Sequence, residues 1–322
     1  MMPNFNHFNS LLSIFSYFRT NKTCTNFLEK QRWADGVVCP YCGKKHAVKR
    51  GDGRYICLSC NKSFSLLVGT IFENTKLPLN KWFAAMYMEA SNSNGASSVQ
   101  IARDLQITQK TAWYMLQKIR TLYKQSDDMQ LSGIIECDEK YLGGRETNKH
   151  KHCRISGTQG RSTKTKTPIF GMLEYKRVVT PAGRKEVNTF VRAMKVSDAK
   201  SETLIPIIRR FAKENSVIIT DELSSCIKIE ECNGYTHKVV KHKDEEYGKG
   251  ELSTNRIEGF WACFSRMIFA TYHYVSREYL QRYIDEACFR YNTRRMKVGE
   301  RFQIMLLNSI GKCDYSQVRQ VA

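Results

Sequence analysis

Apolar residues recur at helical spacing near the start of the chain. Phe8, Leu11, Leu12, Phe15 and Phe18, then Phe27 and Leu28, predict a helical pair within residues 8–33, broken around Thr20 to Thr23. The same period returns between Leu79 and Tyr123. Trp82, Phe83, Met86 and Tyr87 lead a first helix, which Asn92 to Gly95 interrupt. Ser98 is read as the cap of a second helix, Val99–Leu105. Gln106-Ile107-Thr108 then turn the chain, and Thr108 caps a third helix through Thr111, Met115 and Ile119.

Further along, the pattern changes to short apolar runs. Ser132–Leu142 carries Ile134 and Ile135 between Gly133 and the pair Gly143-Gly144, which predicts a buried strand ending in a turn. Gly143 to Lys166 lacks hydrophobic periodicity and reads as a mobile loop. Strands resume at Pro168–Tyr175 and Val187–Val196. Asp198 is expected to cap a helix through Leu204, Ile207, Ile208 and Phe211, and Val217–Thr220 is a short strand with Asp221 at its C-terminal end.

After a polar segment, Ser253 or Thr254 caps a helix with Asn255 and Glu258 on one face. Aromatic-rich helical sequence continues to Arg295 through Tyr272, Tyr274, Tyr279, Tyr283 and Tyr291. Most of these rings read as core and intersubunit packing rather than base stacking. From Val298 a short helix and a tail remain, and there is no internal repeat.

Three strands, a helix and a fourth strand are the order of a ribonuclease-H-like α/β core. In that order Asp221 is expected beside Asp138 on the neighbouring central strand, at the carboxyl ends where open α/β sheets gather ligands. Asp138 is an acid inside a segment that otherwise suits the core. A buried carboxylate is costly unless a metal or a partner neutralises it.

Charge narrows the class of partner. Lys plus Arg number 51 against 31 Asp plus Glu, a net charge of +20 over 322 residues. That excess suggests a polyanion, most simply nucleic acid. A membrane is disfavoured because no run of 18 or more apolar residues exists, and Leu11 to Phe18 lacks the basic leader and cleavage site of a signal peptide. The twelve cysteines do not read as a secreted disulfide framework. Four have metal spacing and the rest are scattered singly, which fits a reducing cytoplasm.

Those four are Cys39-Pro-Tyr-Cys42 and Cys57-Leu-Ser-Cys60, separated by fourteen residues. Each pair puts two thiolates on one tight turn, and two such turns close a tetrahedral four-sulfur site suited to structural Zn2+. His46, between the pairs, reads as a surface residue. Two further features suit DNA. The short helix, turn and longer helix at 98–120 have helix-turn-helix spacing, with Gln109, Lys110 and Tyr114 facing bases or phosphates. The loop after Asp138 holds Arg145, Lys149, Lys151, Arg154, Arg161, Lys164 and Lys166 against one acid, Glu146, and is read as contacting phosphates. The expected organisation is an N-terminal helical segment (1–35), a zinc ribbon (36–70), a helix-turn-helix domain (71–128), a ribonuclease-H-like catalytic domain (129–300) and a tail (301–322).

Asp138, Asp221 and Glu258 form the candidate catalytic constellation. Hard divalent cations such as Mg2+ or Mn2+ take carboxylate oxygens, so three acids converging on one sheet edge make a two-metal site for phosphodiester displacement. No Ser/His/Asp or Cys/His arrangement competes for the chemistry.

Several segments together resemble a known family. They are Arg32-Trp33-Ala34-Asp35-Gly36-Val37-Val38-Cys39-Pro40-Tyr41-Cys42-Gly43, Gly69-Thr70-Ile71-Phe72, Lys110-Thr111-Ala112-Trp113, Asp138-Glu139-Lys140-Tyr141-Leu142-Gly143-Gly144, Thr220-Asp221 and Asn255-Arg256-Ile257-Glu258-Gly259-Phe260-Trp261. In this order, over residues 10–295, the chain is similar to bacterial insertion-sequence transposases of the DDE superfamily, in the zinc-ribbon group related to the eukaryotic Merlin transposons. The resemblance implies recognition of double-stranded DNA ends, strand cleavage and strand transfer by a homo-oligomer in the bacterial cytoplasm, bound to the nucleoid. It carries Asp138 and Asp221 over as metal ligands. Members of the group vary between Asn and Glu at the third position, and this chain offers both. Glu258 is preferred for its charge, with Asn255 as its neighbour. The group carries a basic residue seven positions after the Glu, where this chain has Ser265, and Arg266 is the nearest base. Two rival readings use the same modules: a domesticated DNA-binding regulator that has lost the chemistry, and a resolvase or nuclease that cuts without joining.

Overall fold

The computed structural model describes residues 8–144, 150–156, 162–179, 185–221, 234–240 and 253–309. The chain divides into two compact units, Met1–Tyr123 with Arg295–Ala322, and Lys124–Arg294.

In the first unit, α1 (Leu11–Tyr17) and α2 (Asn21–Arg32) are separated at Thr20, whose hydroxyl caps α2 by accepting from the Thr23 N–H. Their apolar faces meet α3 (Leu79–Ser91) and the chain's last described helix, Val298–Asn308. Phe18 is the hub of this packing. Its ring lies 5.3 Å from Phe27, 4.9 Å from Phe83 and 6.4 Å from Phe302, all at edge-to-face angles favoured by aromatic quadrupoles. The sequence stretch that looked like a terminal tail therefore supplies Phe302 to the core of the first unit.

Three short antiparallel strands, β1 (Ala47–Lys49), β2 (Tyr55–Cys57) and β3 (Ser63–Phe64), form a small sheet. Its apolar side is covered by Trp33, 4.7 Å from Tyr55, which in turn stacks on Phe64 at 5.6 Å. Two helices follow α3. The first, α4 (Ser98–Leu105), is capped by Ser97, whose hydroxyl accepts from the Gln100 N–H, rather than by Ser98. The Ser98 hydroxyl instead accepts from Gln109. The chain leaves α4 through Gln106 in the left-handed region and enters α5 (Gln109–Arg120) at Thr108, which caps it as expected. Ile101, Ala102, Leu105, Ala112, Met115 and Ile119 are buried, so the periodicity that predicted these helices also marks their inner faces.

The second unit is built on a five-stranded sheet in the order β6-β5-β4-β7-β8. Its strands are β4 (Ile134–Leu142), β5 (Thr167–Val179), β6 (Lys185–Lys195), β7 (Val217–Asp221) and β8 (Thr236–Val240). The first three run antiparallel, and β7 and β8 lie parallel to β4. The last strand was not foreseen, because Thr236-His-Lys-Val-Val is polar and only partly buried at the sheet edge. One face carries α6 (Ser201–Phe211) over Ile135, Cys137, Phe170 and Met172. The opposite face carries α7 (Asn255–Arg266) and α8 (Leu280–Asn292) over Ile169, Leu173, Tyr175 and Val191.

Three local expectations are corrected. Asp198 does not cap α6; Lys200 occupies that position, while Asp198 accepts from the Lys200 N–H and the Thr203 hydroxyl in the preceding turn. The helical stretch to Arg295 is not continuous: α7 passes into a π-helical turn at Met267–Tyr272, and a break precedes α8. Among its tyrosines, Tyr283 is buried as expected but Tyr274 is 80% exposed. Among the described residues, no helix is long and apolar enough to cross a membrane.

Candidate metal centre and carboxylate site

The two Cys-x-x-Cys turns converge at one end of the small sheet. Cys39 and Cys60 sulfurs lie 3.7 Å apart and Cys42 and Cys57 sulfurs 3.6 Å apart, with all four within 4.8 Å of one another. A tetrahedral Zn2+ with Zn–S bonds of about 2.3 Å requires sulfur separations of roughly 3.8 Å, so the donor set fits that ion. The two turns share a backbone plan. The Gly43 N–H donates to the Cys39 carbonyl, and the Asn61 N–H donates to the Cys57 carbonyl. Gly43 and Asn61 both have positive φ, at 72° and 55°, which swings the chain back so that the Cys39 and Cys57 N–H groups donate to the Lys44 and Lys62 carbonyls. Burial works against a thiolate at Cys57. The Cys60 and Ser59 N–H groups lower its pKa to about 6, while, against the Lys62 N–H, burial and the neighbouring sulfurs push Cys60 up to about 11, so the clustered thiols share their protons as one set. His46 is exposed and bonds the Ser59 hydroxyl, outside the sulfur cluster.

In the second unit, side chains alternate along β4. Ile135 and Cys137 face α6. Ile134 packs on the α7 side, and Glu136, two residues on, meets the start of α7. Asp138 continues that alternation. The parallel register pairs Ile134 with Val217 and Glu136 with Ile219. Carried two residues past its last pair, it brings Asp138, in the middle of β4, level with Asp221 at the carboxyl end of β7. Glu258 stands exposed in the first turn of α7, close enough to Asp138 to repel its charge.

Asp138 senses the other two acids. Asp138 is pushed up to about 6, mainly because burial disfavours its charge, with Asp221 and Glu258 adding repulsion. The Glu139 N–H, which donates to the Asp138 carboxylate at 2.8 Å, opposes this. Trp261 also favours the charge, although its indole N–H leans toward Asp138 without completing a hydrogen bond. The ring lies across Gly171, the residue opposite Asp138 in β5; a Cβ there would meet it at 2.6 Å. Glu258 is exposed and accepts from the Thr254 hydroxyl at 2.9 Å, and Asn255 is exposed one turn earlier. Among the described residues, the four cysteines are gathered as for a single ion and the three carboxylates are not.

Glu136 had no place in the sequence reading, yet it positions α7. It is fully buried and accepts the N–H groups of Arg256 and Ile257, each at 3.0 Å, and the Arg256 guanidinium at 2.9 Å. Thr254 makes no side-chain cap, so this carboxylate caps the helix from the neighbouring strand. Arg256 also lies over the Tyr175 ring at 3.9 Å. Its sequence signal was the two-residue offset from Asp138, which puts both acids on one face.

The basic residues fall in several places. Gln109 and Lys110 are exposed on the first turn of α5, and Tyr114 is half-buried one turn on, with the Lys118 ammonium 5.2 Å from its ring. Lys151, Arg154 and Lys164 are exposed, and Lys166 is half-buried where the chain enters β5. Arg145, Lys149 and Arg161 lie outside the described residues. Ser265 turns its hydroxyl back to the Trp261 carbonyl, whereas Arg266 is exposed and bonds Cys263 Sγ.

Comparison with known proteins agrees with this division. Residues 130–292 match the ISXO2-like transposase domain, and residues 19–63 match a transposase zinc-ribbon domain. A protein of Halobacterium salinarum, described as an uncharacterized protein in transposable element ISH50, is 28% identical over 279 residues, covering 83% of this chain and 89% of that protein. An uncharacterized transposase-like protein of Haemophilus influenzae is 26% identical over 117 residues, 36% of this chain and 89% of its own length. With half of its length matched by that one domain, the chain belongs to the ISXO2-like transposase family.

Proposed function

We propose that this transposase binds the ends of its mobile element through the first unit and cleaves and joins DNA with Asp138, Asp221 and Glu258. The observation that carries the reading is the parallel register of β4 and β7, which continued two residues brings Asp138 level with Asp221 at the end of β7, where Asp221 and Glu258 both repel its charge. The sheet order, with three antiparallel strands followed by two parallel ones, supports a ribonuclease-H-like core. The helices α4 and α5, joined by the tight turn at Gln106, support a helix-turn-helix, with Gln109, Lys110 and Tyr114 toward the groove. The exposed cations Lys151, Arg154, Lys164 and Arg266, with Lys166, suit phosphate contacts, and element ends brought together call for more than one copy of the chain.

Asp138 and Asp221, completed by Glu258 with Asn255 beside it, offer hard oxygen donors suited to Mg2+ or Mn2+. Such ions, when bound, supply activation of a water or 3′-hydroxyl and stabilisation of the leaving oxygen. The chain's own groups prepare that site. Glu136 fixes the start of α7 and hence Glu258, while Trp261 walls the inner side of Asp138. Cys39, Cys42, Cys57 and Cys60 would hold Zn2+ as a closed structural site.

The test is cleavage and strand transfer on duplexes carrying the element's own ends in Mg2+. Asp138→Asn should lower both by roughly three orders of magnitude or more while end binding persists. Glu258→Ala against Asn255→Ala identifies the third ligand. Wild-type cleavage by Asp138→Asn would overturn the assignment, and cutting without joining by the native protein would favour a nuclease.

A further inference from the structure

Beyond the carboxylates, β4 and α7 both run on toward a second concavity in the same unit. It has a volume of about 280 Å3 and is walled by Leu142, Thr167, Phe269, His273, Tyr274 and Arg277. Leu142 lies four residues beyond Asp138 on the α7 side of the sheet, about 13 Å at the rise of a strand.

Two backbone anomalies shape this pocket. The π-helical turn Met267–Tyr272 replaces the regular continuation of α7, a feature frequent at functional sites. His273 then adopts φ 60°, ψ −49°, and the Tyr274 N–H donates to the Tyr272 carbonyl at 2.6 Å. That is the rare, strained form of γ-turn, in a residue with a Cβ. The inner side of the segment is anchored: the Tyr272 hydroxyl donates to buried Glu286 at 2.6 Å, and its ring packs on Tyr283 at 4.8 Å. On the outer side the His273 ring bonds the Phe269 carbonyl at 3.0 Å, but the two large rings there are not packed into the core. Phe269 is 59% exposed and Tyr274 80% exposed, so neither ring contributes much to the core. Strain that holds two large rings in water gains the fold nothing by burial. Arg277, with its guanidinium on the Lys164 carbonyl, and Lys164 itself put positive charge at the rim.

We propose that Phe269 and Tyr274 form a stacking platform for an unpaired base of the DNA strand being processed, with Arg277 and Lys164 beside its phosphates. A cleft at the small end of ligand-pocket sizes, flanked by exposed rings and cations, has the chemistry of single-strand recognition. The site deepens the DNA-processing reading and rests on it. It assigns recognition of an unstacked nucleotide without regard to sequence, because stacking on rings tolerates any base.

The experiment compares binding of the full chain to an element-end duplex with two or three unpaired terminal nucleotides and to the same end fully paired, in Ca2+ to prevent turnover. The native protein should favour the unpaired end about tenfold, in line with the stacking of one base. An unpaired nucleotide carrying 2-aminopurine should report its new surroundings on binding. Phe269→Ala/Tyr274→Ala should abolish both the preference and the signal, Tyr274→Phe should keep them, and an abasic nucleotide should reproduce the double variant's loss. Both rings are exposed, so the double variant should melt as the native protein does; circular dichroism checks this. A folded double variant that retains the preference would overturn the proposal, as would a native protein with none. Asp138→Asn should keep the preference even though cleavage is lost. Failure of the carboxylate assignment would show as cleavage by Asp138→Asn, independently of this binding result.

Discussion

Replacing Glu136 with alanine should destabilise the second unit more than any substitution among the exposed acids. The change strips an acceptor from two N–H groups at the start of α7 and removes the counter-ion of Arg256. Breaking a buried pair by removing one partner costs about 3–5 kcal/mol. Arg256 keeps 30% of its side chain exposed and its stack on Tyr175, so its charge is partly relieved by water and ring. The Ile257 N–H has no such relief, because that residue is fully buried. The lower part of the range, about 3 kcal/mol, is expected, equivalent to roughly 6–12 °C for a unit of this size. Glu136→Gln keeps an oxygen for the N–H groups and should cost about half as much. Urea unfolding, with hydrogen exchange read on the peptide spanning α7, measures both the loss and its place. If Glu136→Ala loses less than about 1 kcal/mol and α7 amides stay as protected as in the native protein, the strand-to-helix cap does not hold the helix in the way described.

Two further outcomes follow from the same physical picture. Cys57→Ser should reduce zinc content well below one ion per chain and expose the amides of β1–β3 to exchange, while the melting of the second unit is unchanged; full zinc content in that variant would contradict the four-sulfur site. Asp285, raised to about 7 chiefly by burial against the pull of Gln281, Lys124 and Arg192, binds its proton more tightly folded than unfolded. Its contribution to stability is therefore fully present below about pH 4 and lost as pH rises through 7. Stability of the second unit should fall between about pH 4 and 7, by up to about 4 kcal/mol from this group, and Asp285→Asn should flatten the decline.

The sequence by itself determined what rests on local spacing. Two Cys-x-x-Cys turns bring their own sulfurs together through short-range geometry, whichever strands lie between. Apolar period marked the inner faces of α4 and α5, because a helix must bury the stripe that its residues repeat. The apolar pair Ile134-Ile135 between Gly133 and Gly143-Gly144 likewise predicted a strand, and an acid inside it asked for neutralisation. Tertiary structure decided what depends on partners distant in the chain. Only the packed sheet specifies the register that sets β7 against β4 and so brings Asp221 near enough to repel the charge of Asp138. Thr236–Val240 joins the sheet as a polar edge strand, because pairing with β7 outweighs a weak pattern. The cap of α7 comes from Glu136 on β4, 120 residues before the N–H of Arg256, so no local cap signal could reveal it. The π-helical turn and the strained His273 are likewise invisible in a string that reads as unbroken helix. They exist because the packing of Tyr272 against Glu286 and Tyr283 fixes one side of the segment, and the backbone accommodates the other.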